Sequence, residues 1–364
     1  MSRVQDAKNN GRERVIAVVS GKGGSGKTMI VAIMADILST LHTPVTVVDA
    51  DTGTAGLTYY LGLDLVRNIR VGLSNIATML IKGLPFSSDF LYEYLQPIKG
   101  LEVANFLGIG DHRRLEKEVS ETDLPSILKL LIESLRGLGS WILVDCRGGI
   151  DRESIAVCGV ADDIILISES DTTSFQATKH IVDVLSDNDL AHKLRGFIIN
   201  KVFDNPSTLV SQGTTIYGTQ FLSAIPFDFQ ATRSFLKGEI PRKTSLFGIH
   251  VWAALEKAYP IEILSPPGRV WSFEDYREVG LTNIDSTRGG AIVSAILLSL
   301  GIAYYFKYVV PGGLSLWTFI RSGLGQLWLS ILFFGLLGSL ESTRRSVGKV
   351  FNFYLRLFNL KRRG

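Results

Sequence analysis

The sequence predicts an α/β protein, a doubly wound, mostly parallel sheet with a C-terminal α-helical transmembrane hairpin, and three observations carry that expectation. Apolar runs rich in β-branched residues alternate with helical segments from residue 15 to residue 258. Residues 21–28, GKGGSGKT, fit G-x-x-x-x-G-K-[ST] between the apolar run 15–19 and the helix-like 29–38. Near the end, 289–306 and 322–340 are two long stretches without a charge.

The rest of the chain is arranged around the glycine-rich stretch. Between a strand and a helix, glycines let successive backbone N–H groups face an anion where side chains would block its approach. Gly23, Gly24, Ser25, Gly26 and Met29 supply such amides; Lys27 is placed to reach β and γ phosphates and Thr28 to put its hydroxyl on Mg²⁺. The blander alternative is a glycine-rich turn without a ligand, which the strand and helix flanks disfavour.

A second β-rich run, 44–48, ends at Asp49-Ala50-Asp51, and with the helical 28–41 it makes a right-handed βαβ unit. Carboxylates at the carboxyl end of such a strand sit beside the phosphate site, where metal or water chemistry takes place. Helices are expected near 74–81 and 88–95, a strand at 101–106 and an amphipathic helix at 124–135. Residues 141–144 then run apolar into Asp145, a second carboxylate for the Mg²⁺ side, followed by Gly148 and Gly149. A Gly149 N–H offered to the γ-phosphate would sense its presence. Strands at 164–167, 197–199 and 221–225, with helices near 174–185, 235–237 and 246–258, complete an expected seven-stranded sheet.

Of 364 residues only 20% are charged, and the mean hydropathy of +0.23 is high for a soluble enzyme. From 289 to 364 there are nine Lys/Arg and one acid, Glu341, a net of +8; the 29 basic and 34 acidic residues that remain give the body a net of −5. A mildly acidic body with a basic, apolar tail points to a lipid bilayer and away from nucleic acid. The cysteines, Cys146 and Cys158, lack C-x-x-C spacing, which argues against a metal centre within one chain and suits buried small hydrophobes. Residues 1–14 form a polar tail without the apolar core of a secretory signal.

Residues 259–288 read as a connector, 289–340 as a two-helix transmembrane hairpin and 341–364 as a basic amphipathic helix. At about 1.5 Å per residue, each charge-free stretch spans about 27 Å or more, close to the ~30 Å hydrocarbon core. A charge at a helix centre costs roughly 2.5–3.5 kcal/mol, so Lys307 and Arg321 are expected near one face, flanking a turn at Pro311-Gly312-Gly313. The cationic excess from 344 to 363 puts both termini and the body on the cytoplasmic side of the inner membrane. Two buried core helices, or a re-entrant hairpin, are the alternatives. The final helix reads equally as a lipid-binding face or as a cationic stop-transfer flank.

Taken in order, the motifs resemble the ParA/MinD superfamily of P-loop ATPases over about residues 12–258. Lys22 stands where that family carries a second lysine, which the resemblance implies reaches the partner's nucleotide in an ATP-sandwiched homodimer. Asp51 resembles the first-switch Asp that orients the attacking water, and Asp145 with Gly149 resembles the Walker B and second-switch residues. Asn200, followed by Lys201, resembles the adenine-recognising Asn. Ile225-Pro226-Phe227-Asp228 resembles the stretch beside the base, with Pro226 and Asp228 its matching positions, and Gly238-Glu239-Ile240-Pro241 the G-x-P that follows. The implied cofactors are ATP and Mg²⁺, with Lys22, Lys27 and Asp51 catalytic and Thr28, Asp51 and Asp145 around the metal. A protein partner or activator is implied without being identified.

Two departures stand out: Arg147 where a proline is common, and Met29 where a second hydroxyl residue is usual. Asp49 reads alternatively as a helix cap and Asn200 as a turn residue. The function expected is a membrane-anchored ATPase that positions or recruits a partner. The alternatives are a nucleotide-gated scaffold with little turnover and a polysaccharide-export tyrosine kinase, disfavoured because Tyr354 stands alone in the tail.

Overall fold

The computed structural model describes residues 13–62, 71–84, 88–203 and 205–266, all within the unit Met1–Glu274. The central strand is β1 (Arg14–Ser20), whose apolar residues alternate between two buried faces. Ile16 and Val18 face the layer containing α1 (Lys27–Thr40) and α11 (Leu246–Ala258). Val15, Ala17 and Val19 face the layer containing α6 (Leu124–Arg136), α7 (Arg152–Val160) and α8 (Thr172–Asp187). A strand buried on both faces reads as a continuous apolar run, which is why 15–19 is legible as a core strand.

The sheet has eight strands in the order β3-β4-β2-β5-β1-β6-β7-β8. They are β2 (Val45–Asp49), β3 (Gln96–Pro97), β4 (Ala104–Leu107), β5 (Trp141–Gly148), β6 (Asp163–Glu169), β7 (Leu194–Val202) and β8 (Phe221–Pro226). All pairings are parallel except β3 on β4. The chain fills the β5 side of β1 before the β6 side, so the order reverses beside β1 and opens a crevice at the strands' carboxyl ends.

The expected doubly wound sheet is therefore present, with eight strands where seven were expected. The addition is β3, two residues long, and the helix expected over 88–95 shrinks to α4 (Ser88–Leu91) to make way for it. So short a strand, containing Pro97, has too few residues to show a period. Short helices α2 (Gly56–Leu61) and α5 (His112–Glu118) and the longer α7 and α9 (Ser207–Tyr217) are additions too. Their caps, Asp111 and Asp151, each accept the backbone N–H three residues on and are the signals that could have located α5 and α7. α3 (Leu73–Ile81) and α10 (Phe229–Leu236) lie close to their expected positions, α10 starting earlier. Arg14, assigned to the polar tail, begins β1, because its guanidinium pairs with Asp163 at 2.7 Å and Glu262 at 3.2 Å.

The expected hairpin at 289–340, the terminal helix at 341–364 and the connector beyond residue 266 lie outside the described residues. Among the described residues, no helix is long and apolar enough to cross a membrane.

Leu131 on α6 is fully buried in the layer under β1 and β5. Leu131→Ala is expected to cost about 2–5 kcal/mol, read as a lower urea midpoint with an unchanged denaturant slope.

Candidate functional site

The loop between β1 and α1 lies at the crevice. Gly26, the residue that starts α1, has φ +87°, and a Cβ there would stand 2.3 Å from the Asn200 side chain. Only glycine meets both conditions. Asn200 Nδ2 donates to the Ser25 carbonyl at 2.8 Å, and Lys201 Nζ donates to the Gly24 carbonyl. In a planar trans peptide, a carbonyl held to one side leaves the next residue's N–H on the other. Asn200 and Lys201 thus leave the Ser25 and Gly26 N–H groups on the side of the loop away from β7. Lys201 does this from a left-handed backbone, φ +55°, a conformation costly for a side-chain-bearing residue and tied to this function by its two contacts, the loop carbonyl and Glu169.

On the β5 side, Thr28 Oγ1 donates to Asp145 Oδ2 at 2.7 Å. Asp145 is buried, its Oδ1 has no hydrogen-bond partner, and the Ser25 hydroxyl beside the loop is likewise buried without one. A buried carboxylate oxygen left unpaired next to a hydroxyl and a buried lysine, Lys27, is an arrangement that fits a hard divalent cation such as Mg²⁺. Asp49 stands in register with Asp145 on the neighbouring strand. Its Oδ2 accepts from the Thr58 N–H and hydroxyl, both at 2.7 Å, and its Oδ1 accepts from the Asp51 N–H at 3.0 Å. Asp49 therefore ties the first turn of α2 to the strand end, a cap at a distance, while the orphaned oxygen belongs to Asp145.

Burial pushes the Asp49 carboxyl up to about 7, with the Asp145 charge adding and the Thr58 and Asp51 hydrogen bonds opposing. Burial likewise raises Asp145 to about 6, opposed by Lys27 and Thr28 and assisted by Asp51.

Asp51 is half-buried, and its two oxygens accept from the Thr54 N–H at 3.0 Å and the Thr54 hydroxyl at 2.7 Å. Its loop is also touched by the Arg147 guanidinium, which would lie 2.9 Å from a Cβ at Gly53, and by the His112 ring, hydrogen-bonded to the Thr52 carbonyl. The sequence singled out Arg147 only as a departure, and His112 carried no signal.

Lys22 lies on its own chain's acids, 2.8 Å from Asp171 and 3.7 Å from Glu169. The Asp171 hydrogen bond raises the lysine pKa; burial works against ionisation of Asp171, yet the hydrogen bonds from Lys22 and Thr173 hold its carboxyl well below the usual range. Glu169 and Asp171 were missed by sequence reasoning, although acids directly after an apolar parallel strand are a usable signal.

Three expectations change in detail. The Gly149 N–H, expected to face the γ-phosphate, donates to the Ser20 carbonyl at 2.9 Å, because β5 runs on to Gly148 beyond Asp145 and pairs there with Ser20. Gly148 permits this approach, since a Cβ on it would stand 2.6 Å from the Gly23 nitrogen. Asp228, expected beside the base, has both oxygens engaged by backbone: Oδ1 by Gln230 and Ala231 at the start of α10, Oδ2 by Phe247. Asn200 lies inside β7, in register with Glu169, where it was expected to end the strand. Pro226 is buried at the end of β8, paired with Val202, and Met29 packs against the α1 core. Cys146 and Cys158 are buried in the apolar layer, as expected.

A nucleotide-binding family, described as the CobQ/CobB/MinD/ParA nucleotide binding domain, matches residues 16–241. A putative septum site-determining protein MinD of Chlorella vulgaris is 27% identical over 281 residues, covering 72% of this chain and 92% of the relative. Among solved structures, the septum site-determining protein MinD complexed with Mg-ADP from Pyrococcus horikoshii superposes with a TM-score of 0.56 at 23% identity, covering 68% of this chain and 96% of that one. The MinC:MinD cell division protein complex of Aquifex aeolicus gives 0.55 at 20% identity, covering 71% and 100%. At these identities the solved structures speak for the fold.

The raised Asp49 and Asp145 carboxyls mean that the folded, metal-free chain holds protons the unfolded chain has released above about pH 4. Their stabilising contribution is full below that pH and is lost as pH rises through about 6 and about 7. Thermal melts across this window are expected to show a falling midpoint, and Mg²⁺ is expected to flatten the fall.

Proposed function

Because the chain belongs to the CobQ/CobB/MinD/ParA nucleotide-binding family, we propose that it is a membrane-anchored ATPase whose ATP-dependent dimerisation and hydrolysis position or recruit a protein partner at the membrane. The observation that carries the reading is the Thr28–Asp145 hydrogen bond beside the unpaired Asp145 Oδ1, placed at the mouth of a loop whose Ser25 and Gly26 N–H groups lie on the side away from β7.

The triphosphate lies in the loop, with the Ser25 and Gly26 amides and Lys27 on its oxygens. Thr28, Asp145 and Asp51 surround the metal position; Mg²⁺, when bound there, neutralises charge on the β- and γ-phosphate oxygens. Asp51 leaves Thr54 and orients water for in-line attack on the γ-phosphorus, and the bond to the β-bridging oxygen breaks to give ADP and inorganic phosphate. Lys22 leaves Asp171 and neutralises phosphate charge across the dimer. With the γ-phosphate gone, Asp51 returns to Thr54, Gly149 rests on Ser20, and the dimer opens.

Lys27→Ala is expected to abolish Mg-ATP binding in calorimetry. Asp51→Ala is expected to bind Mg-ATP and dimerise while phosphate release falls at least about a hundredfold. Wild-type turnover by Asp51→Ala would remove that residue from the water-positioning role.

A nucleotide-gated scaffold with little turnover is the second reading. It is favoured by the internal engagement of Asp51 with Thr54 and of Gly149 with Ser20. Phosphate release with and without lipid vesicles separates the two readings.

Attachment in this proposal is through the 289–340 hairpin, with the ATPase body and both termini on the cytoplasmic side of the inner membrane, and with the basic segment 341–364 along the acidic lipid surface. Its support is the pair of charge-free stretches and the +8 tail. The full chain is expected to stay with membranes through a carbonate wash and float with them in a density gradient. Release into the wash would sink the anchor and leave the nucleotide chemistry untouched.

A further inference from the structure

The turn that carries Asp51 is held from outside as well as from within. Inside it, Asp51 accepts from the Thr54 N–H and hydroxyl, and the Ala55 N–H donates to the Asp51 carbonyl at 2.8 Å. Ala55 closes the turn at φ +50°, a left-handed conformation that is costly for a side-chain-bearing residue and persists only where its surroundings impose it. From α5, His112 hydrogen-bonds the Thr52 carbonyl, and from β5 the Arg147 side chain crosses the turn at Gly53. Between the pairings Val18–Asp145 and Ser20–Gly148, β5 advances three residues where β1 advances two. Arg147 lies in that extra length, a bulge of the kind that re-aims a side chain.

A Cβ on Gly53 would stand 2.9 Å from Arg147 Cζ and 3.1 Å from both Nε and Nη2. Three bonded atoms of a planar group at nearly equal distances mean that the guanidinium meets Gly53 with its flat face, leaving its in-plane N–H groups unspent on the turn. Among the described residues the one carboxylate within 4 Å is Asp151, 3.8 Å away and beyond hydrogen-bond reach, and the side chain is 52% exposed. Arg147 therefore rests on the turn by packing, with no strong partner to hold it there. Gly53 is needed for that contact alone, since its own φ is not in the left-handed region. Asp51 cannot orient water while both its oxygens accept from Thr54, and Thr54 cannot withdraw freely while its neighbour Gly53 is covered. We propose that Arg147 is a positioning residue that straps the Asp51–Ala55 turn in its resting form, so that Asp51 becomes available to water only when the guanidinium lifts from Gly53. The inference rests on the nucleotide reading given above and adds to it the side chain that sets how readily Asp51 is released.

The test compares wild type, Arg147→Ala, Gly53→Ala and the double variant, each as the full chain in detergent. Gly53→Ala puts a methyl group where the guanidinium lies and so displaces it without altering Arg147. Two quantities are read: hydrogen exchange at the Ala55 amide in the nucleotide-free chain, and steady-state phosphate release from Mg-ATP. Each single variant is expected to speed the exchange and to raise kcat roughly 3- to 10-fold with KM unchanged. The double variant is expected to match Arg147→Ala, because both substitutions remove one and the same contact. Wild-type exchange and kcat in both single variants overturn the proposal and leave the nucleotide reading intact. A fall in kcat, or effects that add in the double variant, overturns it as well. Faster exchange in chains that release no phosphate, wild type included, supports the strap and removes the turnover reading.

Discussion

Burying Asp49 and Asp145 side by side, in register on adjacent strands and out of water, is the constraint on which the crevice depends. A charge removed from solvent is tolerated when something opposite in sign or a set of hydrogen bonds takes water's place. Asp49 meets that condition through Thr58 and Asp51 and so orders the strand end, α2 and, through Thr58 accepting from the Ile109 N–H, the exit of β4. Asp145 meets it only in part, through Thr28 and the nearby Lys27. The shortfall at one oxygen separates a structural acid from one suited to a cation, a distinction the D-A-D spacing alone does not contain.

Asn200 and Lys201 give the phosphate loop its orientation from outside. Their contacts reach the backbone carbonyls of Gly24 and Ser25, so the glycines are permissive and the neighbouring strand β7 decides. The same economy appears at Gly148 and Gly149, where strand pairing and close backbone approach replace the free amide that the motif suggests.

The sheet was legible in the sequence wherever strands are buried on both faces, because there hydrophobicity needs no partner to be recognised; β1, β5, β6, β7 and β8 are of this kind. The edge was not, since β3 is too short to show a pattern and gains its order from β4. In the site, Lys27, Thr28 and Asp145 were readable from local spacing, and the structure brings Thr28 and Asp145 into contact. The partners of Lys22, Asp51 and Asp228 were not, because each is decided by what a loop meets after folding: Asp171, Thr54 and the α10 and α11 amides.

Arg14 and Glu262 stand at the amino-terminal edge of the sheet, joined to each other and, through Asp163 and Tyr259, to the foot of β6. The loops that carry Lys22 and Asp51, and Asn200 near the end of β7, are at the far rim. The ion pair is backed by the Trp141 and Tyr259 rings, over which the Arg14 guanidinium lies. This cluster and the phosphate loop thus occupy opposite ends of the same strands, so a substitution at Arg14 or Glu262 removes no group that lines the crevice.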